Sequence, residues 1–276
     1  MAKKPVSGTK EWADGSANIQ RGCEHNCLYC YARATDSDPS TWNTVKVRGL
    51  QERKGRPNRI MFPTRHDITP LNISSVIEAL PTLLEQADNL LIVTKPHYGC
   101  VMEMCEFLLD HAINGPGPKP CMLSEAVKEM QRRVMFRFTI GSMDNSTLRY
   151  WEPGAPVYEE RLASLVHAHH MGFQTSVSCE PAIEPPEYYF DLVAALEPYV
   201  TDAIWIGRMN NVQQRLMTNS TCDDVLKEGI LLEGKWNTEA CHRIYNQLKG
   251  IPKVKWKDSI KEIVGLDRPT TPGADR

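Results

Sequence analysis

The sequence lacks long apolar runs and carries little net charge. None of its apolar stretches reaches the length of a membrane span, and the charged start with Lys3 and Lys4 leads into polar residues. The formal net charge is only -2, which excludes a global basic field that would draw the whole molecule onto nucleic acid or anionic lipid. We therefore expect a cytoplasmic protein without a membrane span, in which any contact with a polyanion is local.

The sequence also lacks the features of a disulfide-stabilised secreted protein. Its nine cysteines are many for 276 residues, but their number is odd and no secretory segment precedes them. No internal repeat is present either. The cysteines are therefore predicted to be metal ligands or reduced thiols, and three of them are clustered.

Short β-like runs alternate with helical patterns along most of the chain, which is 41% hydrophobic and 24% charged, as in an ordinary soluble protein. The six predicted strands are residues 17–20, 59–62, 90–94, 134–140, 173–178 and 203–206. Helices are predicted between them, for example over 157–171, where Gly172 provides a left-handed stop. This alternation predicts an α/β fold, a partial six-stranded parallel (β/α)6 barrel with its chemistry at the carboxyl ends of the strands.

The predicted barrel occupies only part of the chain. Residues 1–16 form an N-terminal arm, 17–208 the barrel, and 209–265 a small helical C-terminal extension packed on it. The extension has helical stretches near 238–248 and 257–264. Residues 266–276 are predicted to be a disordered tail because they are polar and rich in proline.

The cysteine cluster lies directly after the first predicted strand. Cys23, Cys27 and Cys30 have the spacing C-x3-C-x2-C. Iron and sulfide prefer soft thiolate ligands, and three thiolates on one short loop can each bind one iron of a cubane cluster. The fourth iron is then left without a protein ligand, and this predicts a four-iron, four-sulfur site with one open position.

This loop, including Tyr29 directly before the third cysteine, resembles the signature loop of the radical S-adenosylmethionine (SAM) superfamily. The resemblance implies that the open iron of the 4Fe-4S cluster chelates SAM. An electron from a flavodoxin- or ferredoxin-type donor then cleaves SAM to methionine and a 5′-deoxyadenosyl radical, which abstracts hydrogen from the substrate. The protein supplies positioning and exclusion of water.

Further segments resemble the spore photoproduct lyase-like branch of that superfamily. They are residues 18–23, residues 151–156 followed by Arg161 and Leu162, and the strand end at 94–96. The resemblance implies an enzyme, a lyase or a modifying transferase, with an unidentified substrate for which a nucleotide or nucleic acid is one candidate. Lesion repair and modification of an RNA, a peptide or a small metabolite stay open at this point.

The resemblance also implies that polar side chains at strand ends hold SAM. The residues expected to bind the cofactor are Tyr29, Thr64, Asp67, Thr94, Lys95, Ser142, Glu152, Arg161 and Glu180. Each has an ordinary alternative, since Lys95 is equally consistent with a solvated charge, Ser142 with a turn residue, and Glu152 and Arg161 with an exposed ion pair. No Gly-Gly-Glu turn follows the second predicted strand, where the superfamily commonly has one.

A product radical in a repair-type enzyme needs a hydrogen donor, and a thiol is a usual choice. Cys179 lies at a strand end and Cys100 shortly after one, so we expect these two to be the catalytic candidates. The alternative is that both are buried inert thiols.

A non-enzymatic alternative is a zinc-stabilised nucleic-acid-binding module. Zinc would be bound by the three cysteines together with His25 or a distant ligand, although zinc sites usually use a second pair of cysteines, which is missing here. His25 is otherwise interpreted as a loop residue without a specific role. Basic residues between Lys46 and Arg65, with Trp42 nearby, provide either a phosphate-binding surface or a solvated loop.

Overall fold

A computed structural model describes residues 4–51, 55–116 and 122–275 and contains a parallel sheet of seven strands. The strands are β1 (Gly15–Ser16), β4 (Arg59–Phe62), β5 (Asn89–Thr94), β6 (Val134–Thr139), β7 (Gln174–Ala182), β8 (Ile204–Arg208) and β9 (Val254–Trp256), in that order across the sheet. A separate antiparallel pair is formed by β2 (Gln20–Arg21) and β3 (Lys46–Val47). The predicted α/β class and parallel sheet are confirmed, and the sheet is consistent with a partial barrel.

Helices connect the successive strands and follow the last ones. They are α1 (Tyr31–Ala34), α2 (Ile73–Gln86), α3 (Tyr98–Asn114), α4 (Leu123–Arg133), α5 (Asn145–Trp151), α6 (Tyr158–His170), α7 (Tyr189–Leu196), α8 (Val212–Asn219), α9 (Asp223–Lys235), α10 (Thr238–Leu248) and α11 (Asp258–Val264). Short 3-10 helices cover Gly8–Glu11, Pro39–Thr41, Pro186–Tyr188 and Glu197–Tyr199. In the described part of the chain, no helix combines the length and apolar character that crossing a membrane requires.

The two faces of the sheet bury different side chains because successive residues of a strand point to opposite faces. One face, with residues such as Ile92 and Phe136, belongs to the large core that includes the helices. The other face carries Leu91 and Trp205, and it packs on Trp12 from the N-terminal segment. The second face positions the site, because a cavity opens beside it.

The first strand is not where the sequence predicts it. Residues 17–20 were expected to form it, but β1 ends at Ser16 and pairs with β4, while Gln20 pairs with Val47 in the separate hairpin. The backbone leaves the sheet at Asn18, whose side-chain oxygen accepts hydrogen bonds from the backbone N–H groups of Thr64 and Arg65. Such a competing side-chain bond cannot be identified from the run of residues alone.

The sheet has one strand more than the six predicted. β9 pairs in parallel with β8, so the segment 209–265 contributes a strand to the sheet in addition to helices. The sequence around β9 alternates Lys with Val254 and Trp256, and we interpreted it as a basic stretch. Both apolar side chains of this alternating pattern are buried, as in a strand with one face on the core.

The C-terminal tail, predicted to be disordered, lies against the N-terminal segment. The N–H of Gly273 donates to the carbonyl of Lys10, and Lys261 Nζ lies 2.6 Å from a carboxylate oxygen of Asp275. The polar composition of the tail does not reveal these contacts, because their partners are distant in sequence.

Two of the predicted helices agree with the structure in their bounds. The helix α10 spans 238–248, and α6 is followed by Gly172 with a φ of 78°.

Candidate functional site

The three clustered cysteines lie on a tight loop between β2 and α1. The loop begins at Gly22, whose φ is 90° and where a Cβ atom would come within 2.6 Å of the Trp42 carbonyl oxygen, so only glycine fits. It ends at Cys30, the residue that caps the N-terminus of α1. Cys23 and Cys27 are buried and Cys30 is half-buried. The local turn thus gathers the thiols into a segment of eight residues, 23–30.

All three cysteines line one cavity of about 720 Å³ beside the carboxyl ends of the strands. This volume is within the usual range for small-molecule and cofactor sites. Of the residues predicted to bind the cofactor, Tyr29, Thr64, Asp67, Lys95 and Glu180 also line the cavity. Among the described cysteines, only the clustered three belong to its lining.

Asp67 is the centre of a hydrogen-bond network at the cysteine end of the cavity. Its Oδ1 accepts from the Lys95 backbone N–H at 2.7 Å and from the Thr94 hydroxyl at 3.1 Å. Its Oδ2 lies 3.0 Å from His25 Nδ1, 3.4 Å from Lys95 Nζ and 3.9 Å from Cys23 Sγ. Burial opposes ionisation of Asp67, but Lys95 and His25 outweigh it and hold its pKa well below the usual range.

His25 has a specific place that the sequence did not reveal. The side chain is buried, with Nδ1 on Asp67 and Nε2 3.0 Å from Nε2 of His97. His97 Nδ1 in turn lies 3.5 Å from Glu160, which reaches the surface. Our interpretation of His25 as a loop residue without a specific role was wrong, because its partners come from segments far away in the sequence.

The thiol groups of the three clustered cysteines lie in a weakly solvated environment. Burial, followed by the charge of Asp67, raises the pKa of Cys23 to about 12. Burial raises the pKa of Cys27 and Cys30 as well, although the nearby Lys95 ammonium opposes the rise at both. A metal centre that binds all three as thiolates would therefore release protons on binding.

Tyr29 connects the loop to a buried ion pair. Its hydroxyl donates to Glu152 Oε1, and Glu152 Oε2 lies 2.5 Å from Arg161 Nη2. Both charged side chains are at most 1% exposed, and neither is among the cavity-lining residues. Glu152 and Arg161 thus support Tyr29 from behind and do not face the cavity, whereas we had expected them to bind the cofactor.

Two more of the predicted cofactor ligands face away from the cavity. Thr94 bonds to Asp67 and accepts from the Ile68 backbone N–H. Ser142 donates to Glu184 at 2.7 Å in a buried pair. Neither residue is among the cavity-lining ones. Strand-end position alone could not distinguish the side chains that point into the cavity from those that brace the loops around it.

The two cysteines predicted to be hydrogen donors are in the core. Cys179 is completely buried and Cys100 is 4% exposed in α3, and both belong to the main hydrophobic cluster. Burial raises the pKa of Cys179 and brings that of Cys100 to about 11. Neither lines the cavity, so the placement fits the alternative of inert buried thiols.

The other end of the cavity contains a cluster of charged side chains, of which Glu180 was predicted from the sequence and the buried Glu11 and Lys257 were not. Lys257 Nζ lies 2.8 Å from Glu11 Oε2, 3.6 Å from Glu180 Oε2 and 3.7 Å from the ring centroid of Trp12. All four residues line the cavity. Glu11 belongs to the N-terminal arm, Glu180 belongs to β7, and Lys257 directly precedes α11, so only the folded chain brings them together.

The donor set fits an iron–sulfur cluster with an open iron. Three sulfur atoms from one loop face one cavity, and the cavity also contains polar groups for a ligand of the fourth iron. A different set is compatible with a zinc ion: donor atoms of Cys23, His25 and Asp67 all lie within 4.8 Å of one another. In that set, however, Cys27 and Cys30 have no part, and both ring nitrogens of His25 already have partners.

No protein-family model matches the chain, and no curated protein matches it in sequence. The fold is similar to that of a spore photoproduct lyase double mutant solved with AdoMet and a dinucleoside spore photoproduct bound. The TM-score is 0.54 at 14% identity, covering 92% of this chain and 78% of that chain. The cobalamin-dependent S-adenosylmethionine radical enzyme OxsB with aqua-cobalamin bound matches with a TM-score of 0.27 at 12% identity, covering 79% of this chain and 30% of that chain. The predicted resemblance to spore photoproduct lyase is thus confirmed in the fold.

Proposed function

We propose that the protein is a radical SAM enzyme in which Cys23, Cys27 and Cys30 hold a 4Fe-4S cluster. The observation that carries the proposal is that these three thiols line one cavity of about 720 Å³ together with polar strand-end residues. The fold shared with spore photoproduct lyase supports it. When bound, the cluster would supply an electron that cleaves SAM reductively to a 5′-deoxyadenosyl radical, which takes hydrogen from the substrate.

The side chains of this protein would bind and orient the cofactor. Thr64, Lys95 and Glu180 line the cavity and carry a hydroxyl, an ammonium and a carboxylate. The ammonium would pair with the carboxylate of SAM, and the carboxylate would accept from its amino group or its ribose hydroxyls. Asp67 would hold Lys95 in place, since it accepts from both the backbone and the side chain of that residue. Apolar walls such as Met61 and Val93 would exclude water from the reacting centre.

A nucleotide or nucleic acid is our first candidate for the substrate. The spore photoproduct lyase structure has a dinucleoside bound, and the cavity of this chain is lined by the basic residues Arg65, Arg208 and Arg215. Trp42, in contrast, is 1% exposed and already has the guanidinium groups of Arg21 and Arg65 within 6.0 Å of its ring centroid, so it is not free to stack on a base. In the predicted basic run, Arg53 and Lys54 lie outside the described residues.

We propose a flavodoxin- or ferredoxin-type protein as the electron donor.

The test is anaerobic reconstitution with iron and sulfide, followed by reduction in the presence of SAM. We expect a brown protein that forms 5′-deoxyadenosine, and loss of both properties in Cys27→Ala. Cys222→Ala is the matched control, because Cys222 is an exposed thiol outside the cavity, and it should behave as the wild type. Uptake of zinc alone, without any deoxyadenosine, would contradict the proposal.

Substrate classes can then be separated by isotope transfer. The reduced, reconstituted enzyme would be given deuterated dinucleotide lesions, RNA, peptide and small metabolites in turn. Deuterium in 5′-deoxyadenosine identifies the class from which hydrogen is taken. Absence of label from DNA lesions would remove the repair hypothesis and leave SAM cleavage intact.

A zinc-stabilised module without catalysis is the second candidate, and the proximity of Cys23, His25 and Asp67 favours it. The two candidates differ in their use of Cys30, which is outside that group. Cys30→Ser should abolish iron uptake if a cluster is bound. It should leave zinc content unchanged if Cys23, His25 and Asp67 bind zinc.

A further inference from the structure

Asn219 is a buried amide that contacts the cysteine loop from α8. It is the last residue of that helix and is 5% exposed. It is separated from Cys30 by 189 residues in sequence and is not among the residues that line the cavity. A buried polar side chain is stabilising only if its hydrogen bonds are made, so the partners of Asn219 indicate its role.

Both hydrogens of the Asn219 side-chain amide are donated in hydrogen bonds to the cysteine loop. Nδ2 donates to the carbonyl oxygens of Leu28 and Cys30, each at 2.9 Å. These carbonyls stand on either side of Tyr29, in the turn between the second and third cysteines. A single side chain therefore fixes this turn at two points. A hydroxyl has one hydrogen to donate and a carboxylate has none, so an amide is suited to this place.

The amide oxygen of Asn219 shows that the side chain is oriented to donate its hydrogens to the cysteine loop. Asn219 Oδ1 is buried and has no hydrogen-bond partner among the described residues. Turning the amide over would place this oxygen against two carbonyl oxygens, so the orientation is unambiguous. An unsatisfied buried acceptor costs free energy, and the benefit is the fixed position of Leu28 and Cys30.

The same face of α8 also reaches the cavity. Arg215 lies one turn before Asn219, and residues four apart share a helix face. Arg215 lines the cavity, and its guanidinium is 6.0 Å from the ring centroid of Tyr31. The face that carries both residues is therefore turned toward the cysteine loop and α1.

We propose that Asn219 is a positioning residue for the iron–sulfur cluster, holding the turn between Cys27 and Cys30 in the geometry that the cluster requires. This inference rests on the proposed function. Groups that orient metal ligands without touching the metal commonly change metal affinity and electronic structure when they are removed. The bonds to Cys30 and to Leu28, the residue directly after Cys27, place Asn219 in that relation to the segment that carries two of the three ligands.

The test is Asn219→Leu in the full chain, because leucine has the same branching at Cγ, a somewhat larger volume and no donor. After anaerobic reconstitution we expect iron release to a chelator to be about 10- to 100-fold faster than in the wild type. The electron paramagnetic resonance spectrum of the reduced cluster should also change. Gln213→Leu, an exposed position on the same helix, is the matched control and should match the wild type in both measurements.

Asn219→Ala provides a second variant without donors in case leucine does not pack. A folded variant with the iron-release rate and spectrum of the wild type would overturn the inference and leave the proposed function standing. A wild-type protein that takes up no iron would overturn both. A purely structural role for Asn219 predicts a lower thermal midpoint of the metal-free protein with an unchanged cluster spectrum, and that result would also overturn the inference.

Discussion

Arg161 and Glu152 form an ion pair with almost no exposure to water. Such a pair adds little net stability by itself, because the cost of desolvation offsets the attraction. Removing one partner is costly, however, since the other charge stays buried and unpaired. The Arg161 guanidinium also donates to the carbonyl oxygens of Pro156 and Thr139, so its removal affects several segments.

We therefore expect Arg161→Met to lower the free energy of unfolding by about 3–5 kcal/mol. Urea denaturation of the metal-free protein measures this change. Arg132→Met is the matched control, because Arg132 pairs with Glu129 on the surface at 73% side-chain exposure and should contribute less than about 1 kcal/mol. Equal effects of the two substitutions would contradict the interpretation of the Glu152–Arg161 pair.

The pKa of the buried Glu11 carboxyl predicts that the free energy of unfolding depends on pH. Burial, opposed by Lys257 and reinforced by Glu180, raises its pKa from 4.5 to about 7. The folded state therefore binds the proton more tightly than the unfolded state. The stability that the neutral carboxyl contributes is complete below pH 4.5 and is lost as the pH rises through 7.

Glu11→Gln should remove this loss, because glutamine resembles the protonated acid at every pH. Relative to the variant, the wild type should lose about 3 kcal/mol of unfolding free energy between pH 4.5 and pH 8. Chemical denaturation at several pH values measures the difference. Parallel profiles of the two proteins would show that folding does not raise the pKa of Glu11, and would contradict this prediction.

Individual residues of the site differ in how far sequence could identify them. Cys23, Cys27 and Cys30 are close in sequence, so their spacing alone predicted a common site. His97 contacts His25, 72 residues away, and Asn219 contacts Leu28, 191 residues away, while Glu11 pairs with Lys257 near the other end of the chain. No local pattern marks such pairs. Side-chain direction was a second obstacle: Glu180, in the last part of β7, lines the cavity, whereas Ser142, just after the end of β6, does not.

At the scale of elements, the turn after α5 packs directly on the cysteine loop. The N–H of Gly154 donates to the His25 carbonyl at 2.9 Å. A Cβ atom on Gly154 would clash with the Glu24 carbonyl oxygen and lie 3.0 Å from His25 Cα. These neighbours are backbone atoms, so they cannot move away as a flexible side chain would.

Gly154→Ala should therefore destabilise the protein by about 1–3 kcal/mol and reduce iron retention after reconstitution. Gly234→Ala is the matched control: a Cβ there meets nothing within 4 Å, and the residue is inside α9. The control should stabilise the fold by about 0.5–1 kcal/mol, since alanine is the better helix former. Thermal and urea unfolding measure both, and a neutral Gly154→Ala would argue against tight packing of the turn.

Helices were predicted from the sequence better than strands. The apolar spacing in α2, α6 and α10 covers two or more turns, so the period is well defined. Strands of two or three residues, such as β1 and β9, offer too few positions for a period, and their pairing depends on distant partners. For β9, the alternating lysines also hid the buried Val254 and Trp256.

For the whole molecule, both ends of the described chain are brought to one end of the cavity. The N-terminal segment supplies Glu11 and Trp12 to the cavity wall, and the C-terminal tail is hydrogen-bonded to Lys10 and Glu11. From the sequence alone, these ends are predicted to be an arm and a disordered tail. The α/β class and the position of the site at the strand ends were predictable, because both follow from the alternation of elements.

The central claim is that three thiolates bind a cluster whose remaining iron binds SAM. Electron–nuclear double resonance of the reduced cluster, with SAM enriched in magnetic isotopes at its amino nitrogen and carboxylate oxygen, tests this most directly. We predict hyperfine coupling to both atoms in the wild type and its loss in Cys27→Ala. A cluster that forms but shows no coupling to either atom, or a wild-type protein that binds zinc in place of iron, would contradict the claim.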